Sequence, residues 1–146
     1  MKKTLIFLIV CLYTTGLMAD PGDNPQRVSL TIKVKNLKKT KGQLLVAIFN
    51  APDGFPGTAE KSYRSMIVEI KDNQVEIDVT GLRPGTYAVS IVHDENSNGK
   101  VDTNVFGIPT ESFGFSNDAK GLLGPPKFDQ ARFEVSQDTV LTVTLN

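Results

Sequence analysis

From Val28 onward, apolar and polar positions alternate with a period of two. Val28, Leu30, Ile32 and Val34 point one way and Ser29, Thr31, Lys33 and Lys35 the other, the pattern of a half-buried strand. After a turn at Lys39 to Gly42, the run Gln43 to Phe49 is apolar on both faces, which predicts a central strand. Pro52, Gly54, Pro56 and Gly57 then surround Phe55 and mark an irregular loop, followed by room for one helical turn within Ala59 to Ser65. Met66 to Ile70 and Gln74 to Val79 read as a hairpin across Lys71 to Asn73, with Val75, Ile77 and Val79 on one face. The turn Gly81 to Gly85 feeds a strand over Thr86 to His93, where Tyr87, Val89 and Ile91 oppose Ala88, Ser90 and Val92. Two final strands, Ala131 to Val135 and Thr139 to Leu145, are predicted to meet across Ser136 to Asp138.

About seven short strands with turn signals between them and no extended helical pattern predict an all-β fold. The expected form is a single antiparallel β-sandwich, prealbumin-like or Ig-like, with a small barrel as the alternative. Between the fifth and sixth strands runs an excursion from Asp94 to about Gln130, too long for a mere connection and so the expected seat of function. Phe106, Phe113 and Phe115 are expected to pin it to one end of the sandwich, an apolar contact surface being the other use of such residues. Gly121 to Pro126 reads as a rigid turn that either packs Leu122 and Leu123 or offers them outward.

The N-terminus changes the picture of where the domain works. Met1, Lys2 and Lys3 precede an apolar run from Leu5 to Leu12 and a small or polar exit at Thr14 to Gly16, which reads as a signal peptide over residues 1–19, cut after Ala19. The run is short of the ~20 residues that span a bilayer. A flexible lead-in over 20–26 and a domain over 27–146 would remain, in the periplasm or secreted. Cys11, the only cysteine, lies in the leader and lacks the context of a lipid-attachment site, so the exported chain is expected to carry neither a disulfide nor a stable membrane anchor. Loss of Lys2 and Lys3 turns a formal charge of zero slightly negative and leaves no run of adjacent basic residues longer than Lys38–Lys39. Nucleic acid and anionic membrane surfaces are therefore not expected partners.

Candidate chemistry concentrates in Asp94 to Asn104. Asp94, Asn96, Asn98 and Asp102 place oxygen side chains at relative positions 1, 3, 5 and 9, with Gly99 at 6 for the bend and the Lys100 carbonyl at 7. This is the front half of an EF-hand calcium loop, in which every second side chain faces a hard cation. Position 12 is Val105 and a strand precedes the loop, so an EF-hand pair is not implied. The shell would be completed by the second Asp94 oxygen, water, Asn104, or a returning carboxylate from Glu111, Asp118 or Asp129. With charge assured only from Asp94 and Asp102, the expected cofactor is calcium held weakly, in the ~10⁻⁴ to 10⁻³ M class. A plain solvated turn, with Asn96, Asn98 and Gly99 satisfying their own backbone, is the competing account.

Gly81 to Tyr87 (GLRPGTY), His93 to Asn104 (HDENSNGKVDTN), Phe106 to Thr110 (FGIPT), Glu111 to Asn117 (ESFGFSN) and Gly124 to Phe128 (GPPKF), with Gly54, Phe55 and Pro56, carry a resemblance. In order and spacing the chain resembles the domain of unknown function 2141 family of exported bacterial proteins over nearly the whole mature length. The resemblance implies a small exported domain of uncharacterised role and supplies no catalytic residue. Leu82 to Tyr87 is also similar to the Pro-Gly-Thr-Tyr turn of prealbumin-like and carboxypeptidase-regulatory-like sandwiches, which implies architecture and leaves function open.

Other chemistries find less support. His93 is the only histidine, so a zinc shell of nitrogen and sulfur ligands is not expected, and His93 is expected to cap its strand and hydrogen-bond into the loop. Ser112 and Ser116 lack a nucleophile elbow. Carboxylate pairs such as Glu95 with Glu111 are the minimum for glycoside hydrolysis but are common on any acidic surface. There is no tryptophan to stack on a sugar, and of Tyr63 and Tyr87 the latter is expected to be buried. The resulting expectation is a non-enzymatic binding or structural module with a protein or glycan partner outside the cytoplasm. A carboxylate-dependent hydrolase of extracytoplasmic glycans and a transthyretin-like carrier of a small apolar ligand are its rivals.

Overall fold

The structure is a computed structural model that describes residues 26–146. The expected leader, Cys11 and nearly all of the expected lead-in lie outside the described residues. The strands are β1 (Val28–Lys35), β2 (Gln43–Phe49), β3 (Arg64–Glu69), β4 (Val75–Leu82), β5 (Gly85–Asp94), β6 (Phe113–Phe115), β7 (Phe133–Val135) and β8 (Thr139–Thr144). The helical content is slight: two 3-10 turns and the four-residue helix α1 (Phe128–Ala131). None of the helices among the described residues is long and apolar enough to cross a membrane.

Two sheets result. A three-stranded sheet has the order β4-β1-β8, and a five-stranded sheet has the order β3-β2-β5-β6, with β7 also on β5. β6 lies along Ser90 to Val92 and β7 along Gly85 to Tyr87, dividing between them the edge of β5 that faces away from β2. Leu30 and Ile32 from β1, Leu141 and Val143 from β8, Val46 and Ile48 from β2, and Val89 and Ile91 from β5 belong to one buried cluster, so both sheets contribute to the same core.

Three expectations are corrected. β3 and β4 do not form a hairpin: β3 pairs with β2 and β4 with β1, in different sheets. Met66 and Val68 on β3, and Val75, Ile77 and Val79 on β4, each supply one apolar face to the shared core, and these faces meet across it rather than side by side. β7 and β8 likewise do not pair across Ser136 to Asp138; that connection carries the chain from the five-stranded to the three-stranded sheet. In consequence β8 arrives in the direction of β1, and the β1–β8 pair is parallel in a fold expected to be wholly antiparallel.

β2 is central, as its two apolar faces require, with β3 on one side and β5 on the other. Its second face explains the excursion. Ala47 and Phe49 of β2 and Ala88 of β5 point away from the main core and are covered by Phe128 and Ala131 of α1, with Phe55 and Ala119 packed alongside. Phe55 is the hub: its ring centroid lies 5.3 Å from Phe49, 5.9 Å from Phe128 and 6.1 Å from Phe115. Edge-to-face contacts of this kind add to simple area burial. Phe113 and Phe115 thus help pin the excursion as expected, whereas Phe106 stands in solvent.

Candidate metal-binding loop

β5 ends at Asp94, and antiparallel pairing sets Asp94 opposite Gln43, the first residue of β2. The Asp94 carboxylate is fully buried. Oδ1 accepts the Asn98 N–H at 3.1 Å, and Oδ2 accepts the Gly99 N–H at 2.7 Å and the Gln43 side-chain amide at 2.8 Å. Burial pushes this carboxyl up, but the donors on Gln43, Gly99, Asn98 and Ser97 together outweigh it and hold Asp94 below the usual carboxylate range.

The rest of the loop is closed by its own side chains. Asn96 Nδ2 donates to Asp102 Oδ2 at 2.7 Å, and Asn98 Nδ2 donates to Asp102 Oδ1 at 2.9 Å. Asn96 Oδ1 accepts the Asn98 N–H at 3.1 Å, and Asn98 Oδ1 accepts the Lys100 N–H at 2.8 Å. Gly99 takes the left-handed conformation at φ +75° that the bend needs. Asp94, Asn96, Asn98 and Asp102 are therefore joined in one hydrogen-bonded group with the Lys100 backbone between them.

Of the carboxylates proposed to return to this loop, only Glu111 does. Its Oε1 accepts the Glu95 N–H at 3.2 Å and its Oε2 the Asp102 N–H at 3.0 Å. Asp118 instead accepts the Thr144 N–H, and Asp129 pairs with Arg132. Asn104 is also employed elsewhere: its Oδ1 accepts the Phe106 and Ile108 N–H groups and closes the tip of a hairpin from Asp102 to Thr110. Val105 sits at that tip and offers no ligand. Among the described residues no group of three or more His, Cys, Asp or Glu side chains is arranged to hold a metal, so amide and backbone oxygens would have to supplement Asp94 and Asp102.

The β1–β2 connection supports the loop from the other side. Lys39 Nζ contacts Glu95 at 2.6 Å, and this hydrogen bond, against a smaller effect of burial, holds Glu95 below its usual range. A Cβ on Gly42 would lie 2.2 Å from the Asp94 carbonyl oxygen, so only glycine permits the approach. His93 is fully buried; its Nε2 lies 2.8 Å from the Lys41 carbonyl, while no hydrogen-bond partner reaches Nδ1. Its bond thus goes to the β1–β2 connection and not into the following loop, which corrects the expectation from sequence. Ser116 is buried, donating to the Ala131 carbonyl at 2.6 Å and accepting the Val89 N–H, so no serine–histidine pair forms there.

Gln43, Gly42 and Lys39 are the contributors that sequence reasoning missed. Pairing Gln43–Phe49 with Ala88–Asp94 end to end was the signal that would have placed them. Comparison with known proteins yields no match among curated proteins and none among solved structures. A family model described as an uncharacterized protein conserved in bacteria, DUF2141, matches residues 32–143, a span that holds the loop, Glu111 and most of both sheets. The chain belongs to the DUF2141 family.

Proposed function

We propose that the protein is an exported, non-enzymatic binding or structural module of the periplasm or cell exterior, whose Asp94–Asn104 loop takes a calcium ion. The observation that carries this reading is the convergence of Asp94, Asn96, Asn98 and Asp102 around the Gly99 bend, with Glu111 bracing both loop ends. The donor set is all oxygen, which suits a hard cation and not a soft one. A half-turn of each amide brings Asn96 and Asn98 oxygens to where their nitrogens now meet Asp102, and gives up the bonds those oxygens accept from the Asn98 and Lys100 N–H groups. Asp94, Asn96, Asn98, Asp102 and the Lys100 carbonyl would hold the ion, which when bound supplies the positive charge that two carboxylates in one loop lack. The shared core of the two sheets supports a prealbumin-like or Ig-like sandwich as the frame.

Thermal melts of the chain from Asp20 onward, at rising calcium, test the reading. A ligand that binds only the folded state stabilises it, by ~1.4 kcal/mol at ten times its dissociation constant. The melting midpoint should climb with calcium and stop responding in Asp102→Asn. A flat midpoint well above millimolar calcium rejects the metal, and an N-terminus that begins at Met1 in protein recovered from cells rejects the cleaved leader.

A further inference from the structure

β3 is the outermost strand of the five-stranded sheet and, among the described residues, bonds to β2 along one side only. Register tells which of its groups are left over. The Ile70 N–H donates to the Gly42 carbonyl at 3.4 Å, and Ile70 and Gly42 continue the pairing of Glu69 with Gln43. Hydrogen-bonded positions alternate along an antiparallel pair, so Val68, Met66 and Arg64 also turn their backbone groups to β2. The N–H and C=O groups of Ser65, Ile67 and Glu69 therefore point out of the sheet. β5 gives the same count from the other side. The His93 N–H goes to Ser112 toward β6, so Asp94 and Val92 bond to Gln43 and Leu45, and Leu44 and Val46 bond to β3.

The other edges are interrupted. Arg64 Nη1 caps the Thr80 carbonyl of β4 at 2.9 Å, and the β1–β4 register slips between Val28 and Leu30. On β8 and beyond it, Asp118 accepts the Thr144 N–H and Phe113 the Asn146 N–H. β6 and β7 are three residues each. Caps, bulges and short length keep an edge from pairing with another chain. β3 runs for six residues in unbroken register with β2, without proline or lysine, its charges Arg64 and Glu69 standing at the two ends and Ile67 62% exposed between them.

Ile67 also ends an apolar row. It lies opposite Leu45, Leu45 opposite Val92, and Val92 opposite Phe113, on the sheet face turned away from the main core. The adjacent row of Ala47, Ser90 and Phe115 is covered, Ser90 donating to the Pro56 carbonyl at 3.0 Å and Phe55 packing on Phe115. Leu45, Val92 and Phe113 stay half-buried, so the row is partly in water and opens at the free side of β3. Unpaired backbone groups and an apolar row that runs out to them are both satisfied by one more strand.

We infer that this strand is β3 of a second copy, paired antiparallel about a two-fold axis at Ile67, so that two five-stranded sheets become one. Such an axis keeps each sheet face on its own side. Ile67 then opposes Ile67 of the second copy, Ser65 opposes Glu69, and Met66 opposes Val68. Every outward N–H and C=O of Ser65, Ile67 and Glu69 gains a partner, the Ser65 hydroxyl faces a carboxylate, and no like charges oppose. Other registers fit worse. Centring on Val68 sets Ile67 against Glu69, and centring on Glu69 sets that carboxylate against itself. One strand a side lies at the low end of the ~1,200–2,000 Å² of a standard interface, so monomer and dimer exchange with concentration.

The chain from Asp20 onward suits the test, since every core residue described lies within 28–145 and Cys11 is the only cysteine. Ile67→Cys then carries one thiol, placed on the axis. Opposed Cα atoms of a hydrogen-bonded pair are about 5.5 Å apart, within disulfide reach, whereas Ser65 and its counterpart are four residues out of register, beyond about 13 Å. Mild oxidation should cross-link Ile67→Cys and spare Ser65→Cys. In sedimentation equilibrium the parent chain should pass from monomer to dimer as concentration rises. Ile67→Lys should weaken the association about tenfold and leave melting of the dilute monomer unchanged. Ser65→Lys should tighten it and Ser65→Glu loosen it, each about threefold, because both face Glu69 of the second copy. A monomer at every concentration, equal cross-linking through Ser65→Cys, or a dimer indifferent to Ile67→Lys overturns the inference. Ile67→Cys that stays monomeric alone but cross-links to another protein in a periplasmic extract also overturns it and assigns the edge to a foreign strand.

Discussion

Glu111 Oε2 accepts the backbone N–H of Asp102 at 3.0 Å while Oε1 of the same carboxylate takes that of Glu95 at 3.2 Å. One side chain thereby fastens the exit of the candidate loop to its entrance. Glu111→Ala would leave both N–H groups without this acceptor at a largely buried position, a cost of about 2–3 kcal/mol. Glu111→Gln keeps one carbonyl oxygen and should cost about 1 kcal/mol. Urea denaturation of the two variants checks the ranking, and equal stability of all three proteins would show that the clamp contributes nothing.

Asp94 ties stability to pH. Its carboxyl is held below the ordinary range in the fold, so the stability it contributes is fully present above its unfolded pKa. That stability drains away as pH falls through the lower folded value, a window below about pH 4. Glu95, lowered by Lys39, acts in the same direction. Asp94→Asn should reduce stability at neutral pH by about 1–2 kcal/mol and flatten its acid dependence, as read from urea melts repeated from neutral pH downward. A variant that keeps the wild-type acid slope would move the linkage to another group.

Two glycines with positive φ should respond differently to the same change. Gly99 has φ +75° with open space around it, so Gly99→Ala carries only the left-handed backbone penalty, about 1–2 kcal/mol. Gly42 has φ +81°, and its new Cβ would fall 2.2 Å from the Asp94 carbonyl oxygen, so the β1–β2 connection must move off the loop. Gly42→Ala should cost more than Gly99→Ala, roughly 3 kcal/mol or above. Comparable melting midpoints for the two would mean that the connection yields easily.

Strand existence was legible because one buried face leaves a period-two signature. The bounds of β1 and β2 coincide with the alternation over Val28–Lys35 and the apolar run Gln43–Phe49. Pairing was not legible, since Met66 and Val68 bury equally well beside Val75, Ile77 and Val79 or across a core from them. β6 escaped notice for a related reason: three residues, Phe113–Phe115, carry almost no periodicity, and the free edge of β5 defines the strand. In the loop, the spacing of Asp94, Asn96, Asn98 and Asp102 identified the side chains that meet. The contact of Asp94 with Gln43 depends on strand register, which no local pattern announces.

α1 is where the excursion is most dependent on a single side chain. A four-residue helix has no stability of its own, so its position rests on Phe128 and Ala131 packing over Phe49 and Ala88, with the Phe55 ring 5.9 Å from Phe128. Phe128→Ala removes the largest of these contacts and should cost about 3 kcal/mol. The loss should concentrate in the chain between Ser116 and Lys127, because Ser116 also anchors there through the Ala131 carbonyl at 2.6 Å. Trypsin should then cut at Lys120 and Lys127 faster than in the parent, at denaturant concentrations where both sheets persist. Leu122→Ser, at an exposed position in the same segment, should shift stability by less than about 0.5 kcal/mol and leave the cleavage rate alone. If Leu122→Ser accelerates cleavage as much as Phe128→Ala, the turn packs onto the domain and the solvent exposure of Leu122 is refuted.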